Sequence, residues 1–233
     1  GTVDHSFLKD VQRRASRVVK TNLTLLGKNI GLKNSWLSAV SDGSFDFVAI
    51  IEDDILFSRY VLPYSELCIR DVLLQDPLVI GCSYYVNPHS DITNKASPGS
   101  AYPNRYYAWQ MPQSWGCLYS GAVWRKFLEF EKAVKRPGDT PFALSNRWPY
   151  EVTWKKILLR YMYAEGTAVL YPPLRLGGVA MPTSLSGDKA VNSKGGHSMS
   201  GSLMISAPPR VDSYLYYEMY GKEHLQPRDA ARS

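Results

Sequence analysis

Phe47-Val48-Ala49-Ile50-Ile51 runs directly into Glu52-Asp53-Asp54. Five consecutive apolar residues rich in β-branched side chains, bounded by polar sequence, read as a strand covered on both faces. In open α/β sheets ligands bind at the carboxyl ends of strands, which is where the three acids fall. Successive side chains alternate in direction, so these carboxylates cannot all face water. Packed together they repel one another unless a cation sits among them. Hard oxygen donors suit Mg²⁺ or Mn²⁺, either of which can bridge to substrate phosphates. An isolated acidic triplet is usually a solvated loop favouring the start of the next helix; the buried strand ahead of this one puts the metal reading first. That reading requires 47–51 to be an inner strand of its sheet and the acids to lie close to Glu151, introduced below.

Outward from this stretch the chain alternates. Upstream, Leu8, Val11, Ala15 and Val18-Val19 predict a helix over about 6–19, followed by an extended run at 22–26. A second helix over 31–40 presents Leu32, Trp36, Leu37 and Val40 on one face. Downstream, Tyr64, Leu67, Cys68 and Val72 are spaced as a helix, with Pro63 tolerable only near its start. A buried strand is expected at 77–84. Strand and helix in turn predict an α/β layer with a mainly parallel sheet. The stretch 87–112, rich in Pro, Ser, Asn and Tyr, reads as a long loop with one strand near 105–109. Helices follow at 121–134 and from Pro149, the latter striped by Trp154, Ile157, Leu158, Tyr161 and Met162, and then a strand at 167–171. A catalytic domain is thus expected over 1–183, and a Gly/Ser-rich flexible loop with a polar tail over 184–233.

The chain has 233 residues, of which 45% are hydrophobic and 21% charged, values of a folded globular chain. No apolar run is long enough to cross a bilayer, and nothing reads as a signal peptide. Cys68, Cys82 and Cys117 are too few for a dense disulfide framework and lack the CxxC spacing of a structural zinc site. Basic residues outnumber acidic ones 27 to 21, for a net charge of +6. They are dispersed, which suits a generic basic surface first and an anionic ligand such as a nucleotide diphosphate second. Nucleic acid is not expected as a partner, because no helix-turn-helix, zinc-finger or RNP signature is present. Asn22-Leu23-Thr24 is a glycosylation sequon, a slight pointer to a secretory origin.

Taken in order, Lys28-Asn29-Ile30-Gly31-Leu32-Lys33-Asn34-Ser35-Trp36-Leu37-Ser38-Ala39, the apolar strand and Glu52-Asp53-Asp54 resemble the core of nucleotide-sugar glycosyltransferases of the GT-A fold. Within that fold the Glu-Asp-Asp variant is closest to the inverting N-acetylglucosaminyltransferases of the first type and their relatives. Ser114-Trp115-Gly116-Cys117-Leu118-Tyr119-Ser120-Gly121-Ala122-Val123-Trp124 is similar to the acceptor-side loop and following helix of that group. Asn146-Arg147-Trp148-Pro149-Tyr150-Glu151-Val152-Thr153-Trp154 is similar to the region that holds its catalytic base. The resemblance spans roughly 31–173. It implies a Rossmann-like three-layer α/β fold with a mainly parallel central sheet. The group also places a strand, a helix and a second strand ahead of the first segment, so the chain is expected to be incomplete at its N-terminus. Its acid commonly adjoins the Trp, whereas Glu151 is separated from Trp154 by two residues.

The resemblance implies a metal-dependent transfer of a sugar from a nucleotide-diphosphate donor to a glycan, glycoprotein or glycolipid hydroxyl, with inversion, in the secretory pathway or Golgi lumen. Asp54 then holds Mn²⁺ (or Mg²⁺) with help from Asp53 and Glu52, and His197 matches the C-terminal histidine that many GT-A enzymes add as a metal ligand; a loop histidine is otherwise usually just exposed. Glu151, third residue of a helix opening at Pro149, is suited both to the free N–H groups of a first turn and to the role of general base. Lys33 and Asn34, at a helix start, are placed to meet phosphate, although a single lysine is more often simply solvated. Trp115 and Tyr119 are candidates to stack on an acceptor sugar or, as is commoner, to fill core. Two other functions fit the same residues: a metal-dependent nucleotidyl or phosphoryl transferase, and an inactive carbohydrate-binding module derived from the fold.

Overall fold

The helix of the second predicted segment begins at Leu32 and ends at Ser38 (α1). Two short strands, β1 (Phe47–Ile50) and β2 (Ile55–Phe57), flank the acidic turn. They are followed by α2 (Val61–Cys68), which runs on as a π-helical turn over Ile69–Leu73, and by β3 (Val79–Ser83). Next come a 3₁₀ turn at Pro98–Ala101, β4 (Tyr106–Trp109), β5 (Cys117–Ser120), α3 (Gly121–Ala133), α4 (Trp154–Glu165) and β6 (Ala168–Tyr171). The chain closes with β7 (Ala180–Pro182), β8 (Ser213–Tyr217) and β9 (Glu223–Asp229). This computed structural model describes residues 9–10, 12–14, 16–17, 28–38, 45–52, 55–90, 92–93, 95–134, 153–182, 203–218 and 223–229. The run at 22–26 and the sequon lie outside them.

Gly1–Gly31 and Leu32–Ser233 form separate units. In the first, residues 9–10 and 12–14 are helical, and Asp10 pairs with Arg13 and Arg14 one turn on. The second unit carries a seven-stranded sheet in the order β1-β5-β3-β6-β4-β8-β9 and a two-stranded sheet, β2-β7. The expected mainly parallel sheet is instead mixed. Only β3 with β6 and β4 with β8 run parallel; the other four pairings of the large sheet are antiparallel.

Helices cover both faces of that sheet, giving a mixed α/β architecture. On one face Trp36, Trp124, Phe127, Trp154, Ile157 and Leu158 from α1, α3 and α4 pack on Ile50, Trp109, Val169 and Tyr171. On the other, Tyr64, Leu67, Cys68 and Val72 pack on Cys82, Leu118, Leu170 and Tyr216. Alternation along β6 explains the division, since Val169 and Tyr171 face one layer and Ala168 and Leu170 the other. Pro63 is the third residue of α2, where its missing N–H costs nothing. Gly166 ends α4 in the left-handed conformation (φ +63°), which a side-chain-bearing residue adopts only with strain.

Three further expectations are corrected. β1 is an edge strand of its sheet among the described residues, not an inner one. Its Ile50 is buried, but Phe47 and Val48 are half-buried, Ala49 is exposed and Ile51 stays 46% exposed. The C-terminal region is not wholly a polar tail, because Tyr214, Leu215, Tyr216 and Tyr217 of β8 are buried beside β4. Finally, α4 starts at Trp154 with Thr153 as its N-cap, not at Pro149. Cys68, Cys82 and Cys117 are buried free thiols, and no helix among the described residues is long and apolar enough to cross a membrane.

Asp71, on the π-helical turn, ties the segment entering β8 to this core. Its carboxylate accepts bonds from Arg70 Nε at 2.6 Å and Nη2 at 3.2 Å and from the Val211 N–H at 3.3 Å, with Arg210 3.9 Å away. Burial by itself pushes the Asp71 carboxyl up, but the Arg70 hydrogen bonds, the Val211 N–H and the two arginine charges outweigh it and hold it below the usual range. A lowered folded-state pKa adds stability above the ordinary carboxylate range, and that stability is lost as pH falls through the lowered value. Asp71→Asn should therefore cost about 1–2 kcal/mol at pH 7. The gap to wild type in urea midpoint should narrow as the pH drops below the ordinary aspartate range.

Candidate functional site

The acidic turn begins where β1 ends. Residues 51–54 connect β1 to β2, and each flanking strand is pinned by a different partner, β1 by β5 and β2 by β7. The register aligns Ile50 with Cys117 of β5, and Cys117 with Ser83 of β3. Two residues beyond the aligned pair lie Glu52 on the exit from β1 and Trp115 on the entry to β5. The carboxyl ends of β1 and β3, which run in the same direction, therefore meet the Trp115-Gly116 turn at one end of the sheet. Tyr84, just after β3, donates its N–H to Gly116 O at 3.0 Å, closing that end. Gly116 has φ +86° and lies close against Tyr84, a position suited to glycine.

Glu52 is half-buried, and its Oε1 accepts the Trp36 indole N–H at 3.1 Å. Trp36 stacks on Trp154 with ring centroids 4.0 Å apart and planes 18° apart. Trp154 also meets Trp124 edge-on at 6.4 Å. The first member of the acidic triplet is thus linked, through one hydrogen bond and one stack, to the residue that opens α4. Glu151 precedes that residue by three positions. Asp53, Asp54, Glu151 and His197 lie outside the described residues. Among the described residues no group of three or more His, Cys, Asp or Glu side chains is arranged to hold a metal. Glu52 is the described member of a set whose hard oxygen donors fit Mn²⁺ or Mg²⁺.

Lys33, expected to meet phosphate, is held by a carboxylate of a neighbouring helix. It is buried in α1, with Nζ 3.3 Å from Glu131 Oε1 of α3, so its charge is matched by a carboxylate and the pair joins two helices. Asn34, next to it, is exposed. Trp115 is half-buried, set edge-on against Tyr85 at 4.9 Å. Tyr119 is 1% exposed, with its ring 5.1 Å from Trp124 and its hydroxyl donating to Gln113 O at 3.2 Å. Burial, with Cys117 beside it, pushes that phenol well up. A ring enclosed in this way offers no face to a sugar, so Tyr119 is core.

Two residues at this end escaped sequence reading. Trp36 was legible as a core residue on a helix face, but nothing in the spacing shows that its N–H meets a carboxylate sixteen residues on. Gln113 is 1% exposed, and its Oε1 accepts the N–H groups of Ser114 and Trp115 at 2.8 and 3.0 Å, shaping the turn that presents Trp115. Its Nε2 is buried with no partner among the described residues. A Gln one residue before a Ser-Trp-Gly turn is the only signal the sequence offered. No model of a known protein family matches the chain, and no curated protein matches its sequence.

Proposed function

We propose that the chain is a metal-dependent glycosyltransferase that moves a sugar from a nucleotide-diphosphate donor to an acceptor hydroxyl with inversion. The edge position of β1 among the described residues fails the inner-strand condition set for the metal reading, so the proposal rests on the residue types of the triplet and on the contact that Glu52 makes. The observation that carries the reading is the linkage of Glu52 to Trp154 through Trp36, which joins the first acid of the triplet to the first residue of α4. Glu52, Asp53 and Asp54 would hold Mn²⁺ or Mg²⁺, which supplies charge neutralisation to the leaving diphosphate. Glu151 would take the proton of the acceptor hydroxyl as its oxygen forms the new bond to the anomeric carbon. The bond from that carbon to the diphosphate oxygen breaks on the opposite face. Trp115, presented by Gln113, would offer its accessible part to the apolar side of a pyranose.

Screening nucleotide sugars against saccharide acceptors with Mn²⁺ should give a glycosidic product and free nucleotide diphosphate. Chelation by EDTA should abolish both, and readdition of Mn²⁺ should restore them. Cleavage at phosphorus would instead favour nucleotidyl or phosphoryl transfer. Saccharide binding without nucleotide binding would favour a carbohydrate-binding module.

A further inference from the structure

Cys68 ends α2, Cys82 lies in β3 and Cys117 in β5, and all three are fully buried free thiols. Three thiols allow three pairings, and the sheet separates them. Cys117 stands opposite Ser83, the neighbour of Cys82, so alternation sends the Cys117 and Cys82 side chains to opposite faces. Cys117 joins the layer of Trp124 and Trp154, where its thiol donates to Leu118 O at 3.6 Å. Cys82 joins the layer that holds Cys68. Register then brings these two together. Tyr84, two residues beyond Cys82 and in the same layer, has its hydroxyl 2.8 Å from Ser65 Oγ, and Ser65 stands one turn before Cys68 on α2. The Tyr64 and Tyr84 rings meet edge-on at 6.3 Å in the same contact. Burial pushes the Cys82 thiol well up, and the Cys68 thiol beside it pushes the same way.

We propose that Cys68 and Cys82 form a disulfide that staples the end of α2 to β3 when the chain folds in an oxidising compartment, leaving Cys117 as the free thiol. Such compartments are where structural disulfides form and persist. The bond closes during folding. Once the core is packed, a buried thiol yields little thiolate and meets no oxidant, so the native pair is inert. In the open chain both thiols are accessible and the loop to be closed, 68–82, is short. Closure takes two exchanges with a small-molecule disulfide such as oxidised glutathione. One cysteine thiolate attacks it and releases the first glutathione; the second attacks the sulfur of its partner cysteine and releases the other. The two cysteines give up two protons and two electrons, which leave as two molecules of reduced glutathione.

The test is to refold the reduced, denatured chain in a glutathione redox buffer and, in parallel, with a phosphine reductant. Free thiols are then alkylated in denaturant, and the linkage is read by peptide mass spectrometry. The oxidised sample should show one alkylated cysteine, Cys117, and one cross-linked peptide joining Cys68 to Cys82. Its Tm should lie about 5–10 °C above that of the reduced sample. Cys117→Ser should keep the cross-link and the higher Tm, whereas Cys68→Ser and Cys82→Ser should each lose both. Three alkylated cysteines overturn the proposal, as does a cross-link that includes Cys117 or a Cys68–Cys82 cross-link that lowers the Tm. If the chain does not refold, wild-type protein secreted through an oxidising compartment undergoes the same alkylation and mass measurement, and three free thiols there overturn it equally.

Discussion

Asp54→Ala should leave the fold intact and reduce metal-dependent sugar transfer by about a thousandfold or more. The reduction follows from charge. Departure of a nucleotide diphosphate places additional negative charge on its oxygens in the transition state, and a divalent cation held by carboxylates offsets it by several kcal/mol. A thousandfold corresponds to about 4 kcal/mol, within that range. Retention of the fold follows from how the turn is held. β1 is paired with β5, β2 is paired with β7, and Glu52 is bonded to Trp36, so the strands on both sides of the acids are held by other residues. Rates of nucleotide-diphosphate release, compared with thermal unfolding of the same samples, separate the two effects. Full turnover by a normally folded Asp54→Ala protein would remove the metal from the mechanism.

The same turn shows what the sequence disclosed and what it withheld. Side-chain alternation and helical spacing report on faces, so Tyr64, Leu67 and Cys68 on α2, Val72 on the π-helical turn that continues it, and Trp154, Ile157, Leu158, Tyr161 and Met162 on α4, were all legible and all are buried. Faces say nothing about hydrogen-bonding neighbours. An apolar run such as Phe47-Val48-Ala49-Ile50-Ile51 has one pattern whether it lies inside a sheet or at its edge, and here it lies at the edge. Parallel or antiparallel pairing is equally invisible, because it depends on which connections cross the sheet. β8 was missed for another reason. Ser213-Tyr214-Leu215-Tyr216-Tyr217 has strong strand-forming residues, but its Gly/Ser-rich approach suggested a tail. Its long-range pairing with β4 is what turns a tyrosine-rich segment into core. In the site, residue types announced the carboxylates, whereas the Trp36 and Gln113 contacts are products of tertiary packing.

Gly121→Ala should destabilise the protein by about 2–3 kcal/mol or more, although helix propensity alone predicts the opposite. Gly121 opens α3 directly after β5, and alanine there would gain about 1 kcal/mol of intrinsic helix preference. Its surroundings decide otherwise. The Gly121 N–H donates to Asp46 O at 2.7 Å, and a Cβ at this position would stand 1.9 Å from Phe45 O and 2.9 Å from Phe45 C. Both atoms are backbone, so no rotamer change relieves the overlap, and the approach to β1 must move by more than an ångström or so on contact-distance grounds. β1 is gripped by neighbouring backbone only on its β5 side among the described residues, and it carries the acidic turn at its far end. Displacing its entry should therefore lower both the denaturation midpoint and Mn²⁺ affinity. Gly166→Ala provides the contrast: the space there is open, its φ of +63° is the sole penalty, and about 1 kcal/mol is expected with the acidic turn undisturbed. A Gly121→Ala protein as stable as wild type would show that α3 does not close on the Phe45-Asp46 backbone, and the anchoring of β1 beneath the candidate site would have to be redrawn.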